Sequence, residues 1–189
     1  MVMDGSPRDV TPAHTLSVRP LTDEELVDAR QLWYAVFCTE LGDYTYADRG
    51  AGEFRDHYEG PERLLGAFSD RQLAGVARLS LRREAEFLFD EGYQWGALAE
   101  WAGSGERDVM QSAALLSRVA VLGRWRTGDL FRALLEAGVR VATDLGAGIL
   151  LVVPREGRLA PWQRHGFSRY AKPVTVRGWT SEPLARRLV

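Results

Sequence analysis

A chain of 189 residues with 46% apolar and 26% charged side chains has the composition of a soluble globular protein. Its formal net charge of −2 gives no reason to expect nucleic acid as the main partner. The lone Cys38 supports no disulfide framework, and His14, His57 and His165 stand too far apart in sequence to suggest a metal site.

No basic stretch followed by an apolar core opens the chain, and nowhere do the ~18 apolar residues of a membrane helix occur together. These features predict a cytoplasmic protein with a flexible polar arm over 1–14 and a single domain over 15–189. Thr15 to Arg19 alternates like a half-buried strand and stops at Pro20. Thr22-Asp-Glu-Glu25 offers a capping box, and apolar residues from Leu26 follow helical spacing as far as Gly42. Asp43 to Pro61 is a long connection whose length suggests a job or short helical turns of its own. Arg63 to Phe68 and Leu73 to Leu81 read as a hairpin turning through Ser69-Asp-Arg-Gln72.

Glu84 to Asp108 reads as an irregular, aromatic-rich excursion with a short helix, and Ala113 to Leu122 as a strand. A helix then carries Leu130, Leu134, Ala137, Val141 and Leu145 on one stripe, ending near Gly146. Gly148 to Val153 lacks alternation, as a strand buried on both faces would. A short helix around Leu159 to Arg164 precedes one or two strands between Phe167 and Val176. Strands alternating with helices predict an α/β sheet with helices on its faces.

The junction Gly123-Arg-Trp-Arg-Thr-Gly128 feeds a strand into a helix. The first N–H groups of a helix lack internal partners, and the helix dipole adds positive charge there. Arg124, Arg126, Thr127, Gly128 and Asp129 are therefore candidates for holding an anion such as a pyrophosphate. The same residues would also serve an ordinary capped turn with solvated arginines.

The stretch Leu116-Ser-Arg-Val-Ala-Val121, that turn, its helix, the buried strand and Trp162-Gln-Arg-His-Gly-Phe167 together resemble the second half of a GNAT-type acyltransferase. Gly123 and Arg126 depart from the family's turn, which has Arg or Gln first and Gly fourth. In the first half, Leu32 to Gly42, Asp56-His-Tyr-Glu59, Gly75-Val-Ala-Arg-Leu79 and Leu116-Ser-Arg118 resemble a narrower series. It is that of the N-acyl amino acid synthases and acyl-homoserine-lactone synthases. Trp33 stands where that branch has Arg, Glu59 where it has Asp, and Leu115 where it has Glu, which argues against lactone chemistry.

The resemblance implies a mixed, mostly antiparallel central sheet flanked by helices on both faces. It implies an acyl donor that is a coenzyme A thioester or the phosphopantetheine of an acyl carrier protein. The acceptor would be an amine of a small molecule or peptide. Backbone N–H groups of Val119, Ala120 and Val121 would hold the oxyanion and the pantetheine arm. Glu40, Asp56 and Glu59 are candidates for orienting or deprotonating the acceptor. Trp162 stands where many members place a proton-donating Tyr, which leaves either Tyr170 as a substitute donor or a thiolate that departs unaided by a side chain. Arg78 and Arg118 would bind substrate or pair with Asp56 or Glu59, and Trp33 and Phe37 would line an acyl groove or belong to the core. A conventional acetyl-CoA-dependent N-acetyltransferase and a non-catalytic binding module are the rival readings.

Overall fold

Alternation in the sequence becomes a sheet along nearly the whole chain. A computed structural model describes residues 15–55, 63–84, 87, 90–126, 128–176 and 179–188. The expected arm at 1–14, the acids Asp56 and Glu59, and Thr127 lie outside the described residues.

Strand β1 (Leu16–Pro20) leads into a short 3₁₀ turn at Asp23–Glu25. The Glu25 carboxylate accepts from the Thr22 N–H at 2.9 Å and from Arg19 at 2.8 Å. That arginine, with the backbone bond, holds the Glu25 pKa down to about 2. Helix α1 (Leu26–Trp33) then widens into a π-helical stretch, Tyr34–Glu40, with Leu41 N–H donating to Val36 at 3.1 Å. The connection that follows holds a small ribbon, β2 (Ala47–Asp48) and β3 (Glu53–Phe54), rather than helical turns. Phe54 is the reason: it packs against Trp33, Phe37 and Tyr46 and draws the ribbon onto the helix.

The hairpin β4 (Arg63–Ser69) and β5 (Gln72–Leu81) turns at Asp70 and Arg71, both with positive φ, as a two-residue loop between twisted strands requires. The excursion after it contains two helices, α2 (Trp95–Ala102) and α3 (Glu106–Ser112), where one was expected. Strand β6 (Ala113–Val121), helix α4 (Gly128–Asp144), buried strand β7 (Ile149–Val152) and helix α5 (Ala160–Gln163) follow the anticipated order. The C-terminal region adds β8 (Ser168–Arg169), a ribbon of β9 (Val174–Val176) and β10 (Trp179–Ser181), and β11 (Leu184–Arg187).

The main sheet runs β1-β4-β5-β6-β7-β11-β8, antiparallel throughout except for β6 beside β7. This is the mixed, mostly antiparallel sheet implied by the motifs. Strand β11 was missed, yet it sits inside the sheet between β7 and β8. One face is covered by α4 through Leu130, Leu134 and Leu135 packed on Leu65, Leu79 and Leu116. The opposite face is divided. Helix α1 covers Val76 and Ala120 at one end, while α2 and α3 cover Leu115 and Leu151 at the other.

Candidate functional site

Between those two coverings lies the cross-strand pair Arg78 and Ser117, joined by Arg78 Nε donating to Ser117 Oγ at 3.1 Å. Arg78 is only 3% exposed, so its charge depends on groups within the fold. The register then shifts: Val76 pairs with Ala120 while Arg78 pairs with Ser117, so two β6 residues, Arg118 and Val119, oppose Ala77. Arg118 adopts φ +52° at this bulge. A bulge reverses the alternation of the strand. Upstream, Leu115 faces the α2 and α3 side; downstream, Ala120 faces the same side under α1.

Strands β6 and β7 are paired only from Ala113 to Leu115 against Ile149 to Leu151. Strand β6 continues to Val121, whereas β7 stops at Val152. Beyond Leu115 the β7-facing edge of β6 has no strand partner among the described residues, and side chains take two of its carbonyls, Trp33 that of Arg118 and Arg126 that of Val121. A channel of about 930 Å³ occupies the gap, at the carboxyl ends of a parallel strand pair. Ser117 to Val121 form one wall, and Val152 to Arg155 the other. Val36, Phe37, Tyr46, Tyr93 and Leu115 give it an apolar, aromatic interior.

The mouth is basic. Arg126 and Arg132 come from the α4 side, and Arg158, Arg164 and His165 from around α5. The first turn of α4 reaches the channel through Gly128 and Asp129, and a Cβ on Gly128 would meet nothing within 4 Å. Asp129 at that turn pairs with Arg132 at 2.8 Å. The preceding bend uses its own amides: Trp125 N–H donates to Leu122 at 2.8 Å and Arg126 N–H to Gly123 at 3.3 Å. Arg126 also donates from Nε to the Val121 carbonyl at 3.0 Å and pairs through Nη2 with Glu40.

Of the residues singled out in the sequence, Phe37, Arg78, Arg118, Val119, Ala120, Val121, Arg126, Gly128 and Asp129 line the channel. Four others are placed differently. Arg124 is exposed, its guanidinium 5.9 Å from the ring of its neighbour Trp125, off the channel wall. Glu40 sits at the bend beside α4 instead of at the acceptor end, because Arg126 and the Gly123 N–H, 3.4 Å away, hold its carboxylate there. Tyr170 is turned away: its hydroxyl donates to the Tyr93 carbonyl at 2.8 Å, and burial pushes its pKa up, so it is a poor proton donor to a thiolate. Trp33 is core, 5% exposed, its indole donating to the Arg118 carbonyl at 2.7 Å.

The interior has a second polar element that the sequence reading passed over. Asp43, after the π-helical stretch, meets Arg155, after β7, at 3.0 Å across the channel wall. Arg155 stands just past the carboxyl end of a buried strand, the position where sites in such sheets gather. That was the available signal. Around Arg118, the rings of Phe37, Tyr46 and Phe54 lie 6.0, 5.1 and 5.0 Å from the guanidinium carbon. Such distances allow cation–π attraction within a largely apolar wall.

No protein-family profile matches this chain, and no curated protein sequence does. Solved structures match it over almost its full length. The CoA-dependent acyl-homoserine lactone synthase BjaI, with MTA, gives a TM-score of 0.71 at 19% identity, covering 94% of this chain and 84% of that one. FeeM, an N-acyl amino acid synthase from uncultured soil microbes, gives 0.67 at 18% identity, over 93% of this chain and 91% of that one. An acyl-CoA N-acyltransferase from Pseudomonas aeruginosa gives 0.60 at 19% identity, over 92% and 99%. Over nearly its whole length the chain shares the fold of these acyltransferases. Among the described residues no helix is long and apolar enough to cross a membrane, and no His, Cys, Asp and Glu group could hold a metal ion.

Proposed function

We propose that this protein is an N-acyltransferase that moves a medium or long acyl group from a thioester to an amine. The observation that carries the reading is the splay of β6 from β7, with an open helix start and a basic mouth at one end of the resulting channel. The fold supports the same chemistry: a further BjaI structure contains SAM and isopentyl-CoA. The donor's phosphate lies against the first turn of α4, with Arg126 and Gly128, and Thr127 stays a further candidate from the sequence. Its pantetheine arm runs along the β7-facing edge of β6 as an added strand would. Exposed Arg158 and Arg164 suit either the phosphates of coenzyme A or the acidic surface of an acyl carrier protein.

The thioester carbonyl then lies beside Val119 to Val121, whose backbone N–H groups receive the developing oxyanion. The amine nitrogen attacks the carbonyl carbon, the C–S bond breaks, and the nitrogen's proton passes through water to the departing thiolate. The thiolate needs no side-chain acid, since a thiol pKa near ~8.5 makes its anion a tolerable leaving group. Trp162, edge-on to Phe131 and Phe167, closes the channel side without supplying a proton. Asp43, the described carboxylate at the inner end, replaces Glu40 as the group that orients the acceptor amine, with Asp56 and Glu59 as further candidates. The acyl chain runs along Phe37, Tyr46, Tyr93 and Leu115.

Thermal-shift titration with acetyl-, decanoyl- and palmitoyl-CoA tests this directly, with thiol release measured over a panel of amines. Each buried CH₂ contributes about 0.8 kcal/mol, so the longer chains should raise the melting temperature more. Equal shifts would assign the protein to acetyl transfer. Absence of both shift and thiol release would leave a binding module.

A further inference from the structure

We infer that Glu40 is an internal stand-in for the donor's phosphate, occupying part of the anion site until a donor displaces it; this rests on the proposed use of coenzyme A. The Glu40 carboxylate takes the Arg126 guanidinium, the contact an incoming phosphate would use, and is steadied there by the Gly123 N–H at 3.4 Å. The carboxylate packs directly on the bend: a Cβ at Gly123 would sit in ordinary van der Waals contact with it, 3.6 Å from Glu40 Oε1. Local preference does not explain the arrangement. Glu40 is the last residue of the π-helical stretch, and the C-terminal end of a helix repels a carboxylate. The pair spans 86 residues of chain and is part-exposed on both sides, 46% for Arg126 and 32% for Glu40. An ion pair so accessible to water is weak enough for a doubly charged phosphate to replace.

Displacement has a consequence for donor choice. Glu40 must give up Arg126, and a carboxylate left beside a bound phosphate repels it. Donors that bring phosphate to the bend therefore meet a threshold that phosphate-free thioesters do not. Glu40 is accordingly a residue that sets donor affinity through Arg126, not one that touches the reacting carbonyl.

Calorimetric titration of full-length wild type, Glu40→Gln and Glu40→Ala with CoA and with phosphate-free pantetheine tests the inference. Removing the internal carboxylate should tighten CoA roughly two- to fivefold, the range expected for an exposed ion pair, and give no gain for pantetheine. Unchanged or weaker CoA binding in both variants, with melting temperatures kept, would overturn the inference and leave the donor assignment standing. An equal gain for pantetheine would overturn it too, by assigning the effect to channel access. Failure of wild type and variants alike to bind CoA would overturn both the inference and the donor assignment.

Discussion

The indole N–H of Trp33 donates to the backbone carbonyl of Arg118 at 2.7 Å, tying helix α1 to the bulge of β6. A non-glycine residue at φ +52° is held in a sparsely populated conformation that costs roughly 1–3 kcal/mol. The indole bond and the aromatic rings beneath the guanidinium offset that cost. Trp33→Phe keeps an aromatic six-membered ring but removes the fused ring that carries the N–H, so the carbonyl loses its donor and stability should fall by about 1–3 kcal/mol or more. Urea denaturation measures that loss. Under the proposed mechanism acyl transfer should fall more than donor binding, because the bulge positions the edge assigned there to the oxyanion.

Gly128 faces open space, which separates folding from binding. Gly128→Asp should leave melting temperature unchanged or slightly raised, since an acid at a helix start is favourable. The same carboxylate confronts the donor's phosphate, so CoA affinity should drop at least about tenfold. Retained affinity with retained fold would place the phosphate elsewhere.

Asp43→Asn removes a charge-assisted bond within the channel wall. The Asp43 side chain is 13% exposed and Arg155 30%, so the loss should cost about 1–3 kcal/mol. Under steady-state kinetics the KM for the amine should rise while the KM for the acyl donor changes little. A rise confined to the donor would put Asp43 at the wrong end of the channel.

Tyr170 supplies a pH test. Its folded-state pKa is raised by burial, so its contribution to stability is complete below the ordinary tyrosine value near ~10 and is lost as pH rises above it. Tyr170→Phe should lower stability by about 1 kcal/mol at neutral pH through the lost bond to Tyr93. It should also flatten the alkaline decline in melting temperature. Transfer rate at neutral pH should stay within about twofold of wild type, whereas a large drop would restore Tyr170 as the proton donor.

Gly75 tests how the helix is seated. A Cβ there would approach Leu130 Cδ2 to 2.8 Å and the Ala120 carbonyl oxygen to 3.1 Å. Gly75→Ala should therefore cost about 1–3 kcal/mol by overpacking and loosen the start of α4. Differential scanning calorimetry should record the loss, and a neutral result would mean that α4 shifts freely on the sheet.

Much of this molecule is written in short-range pattern. The strand Ile149–Val152 shows itself by an unbroken apolar run, α4 by its stripe from Leu130, and the hairpin by the polar turn at Asp70 and Arg71, because burial and periodicity are local properties of the chain. The bend between Val121 and Gly128 could be read as an anion site for the same reason: the orphan amides of a helix start exist wherever a helix starts. Other features depend on partners far away in sequence. The run Leu184–Arg187 is too short and too charged to announce a strand, and becomes one only between β7 and β8. The bulge at Arg118 leaves no mark in composition, yet by reversing the alternation it lets α1 and the α2–α3 pair share one face with a gap between them. Glu40, Asp43 and Tyr170 were legible as titratable residues, but their roles were not, since a side chain's chemistry is set by what reaches it. Arg126 claims the first, Arg155 the second and the Tyr93 carbonyl the third, and only the folded chain brings those pairs within bonding distance.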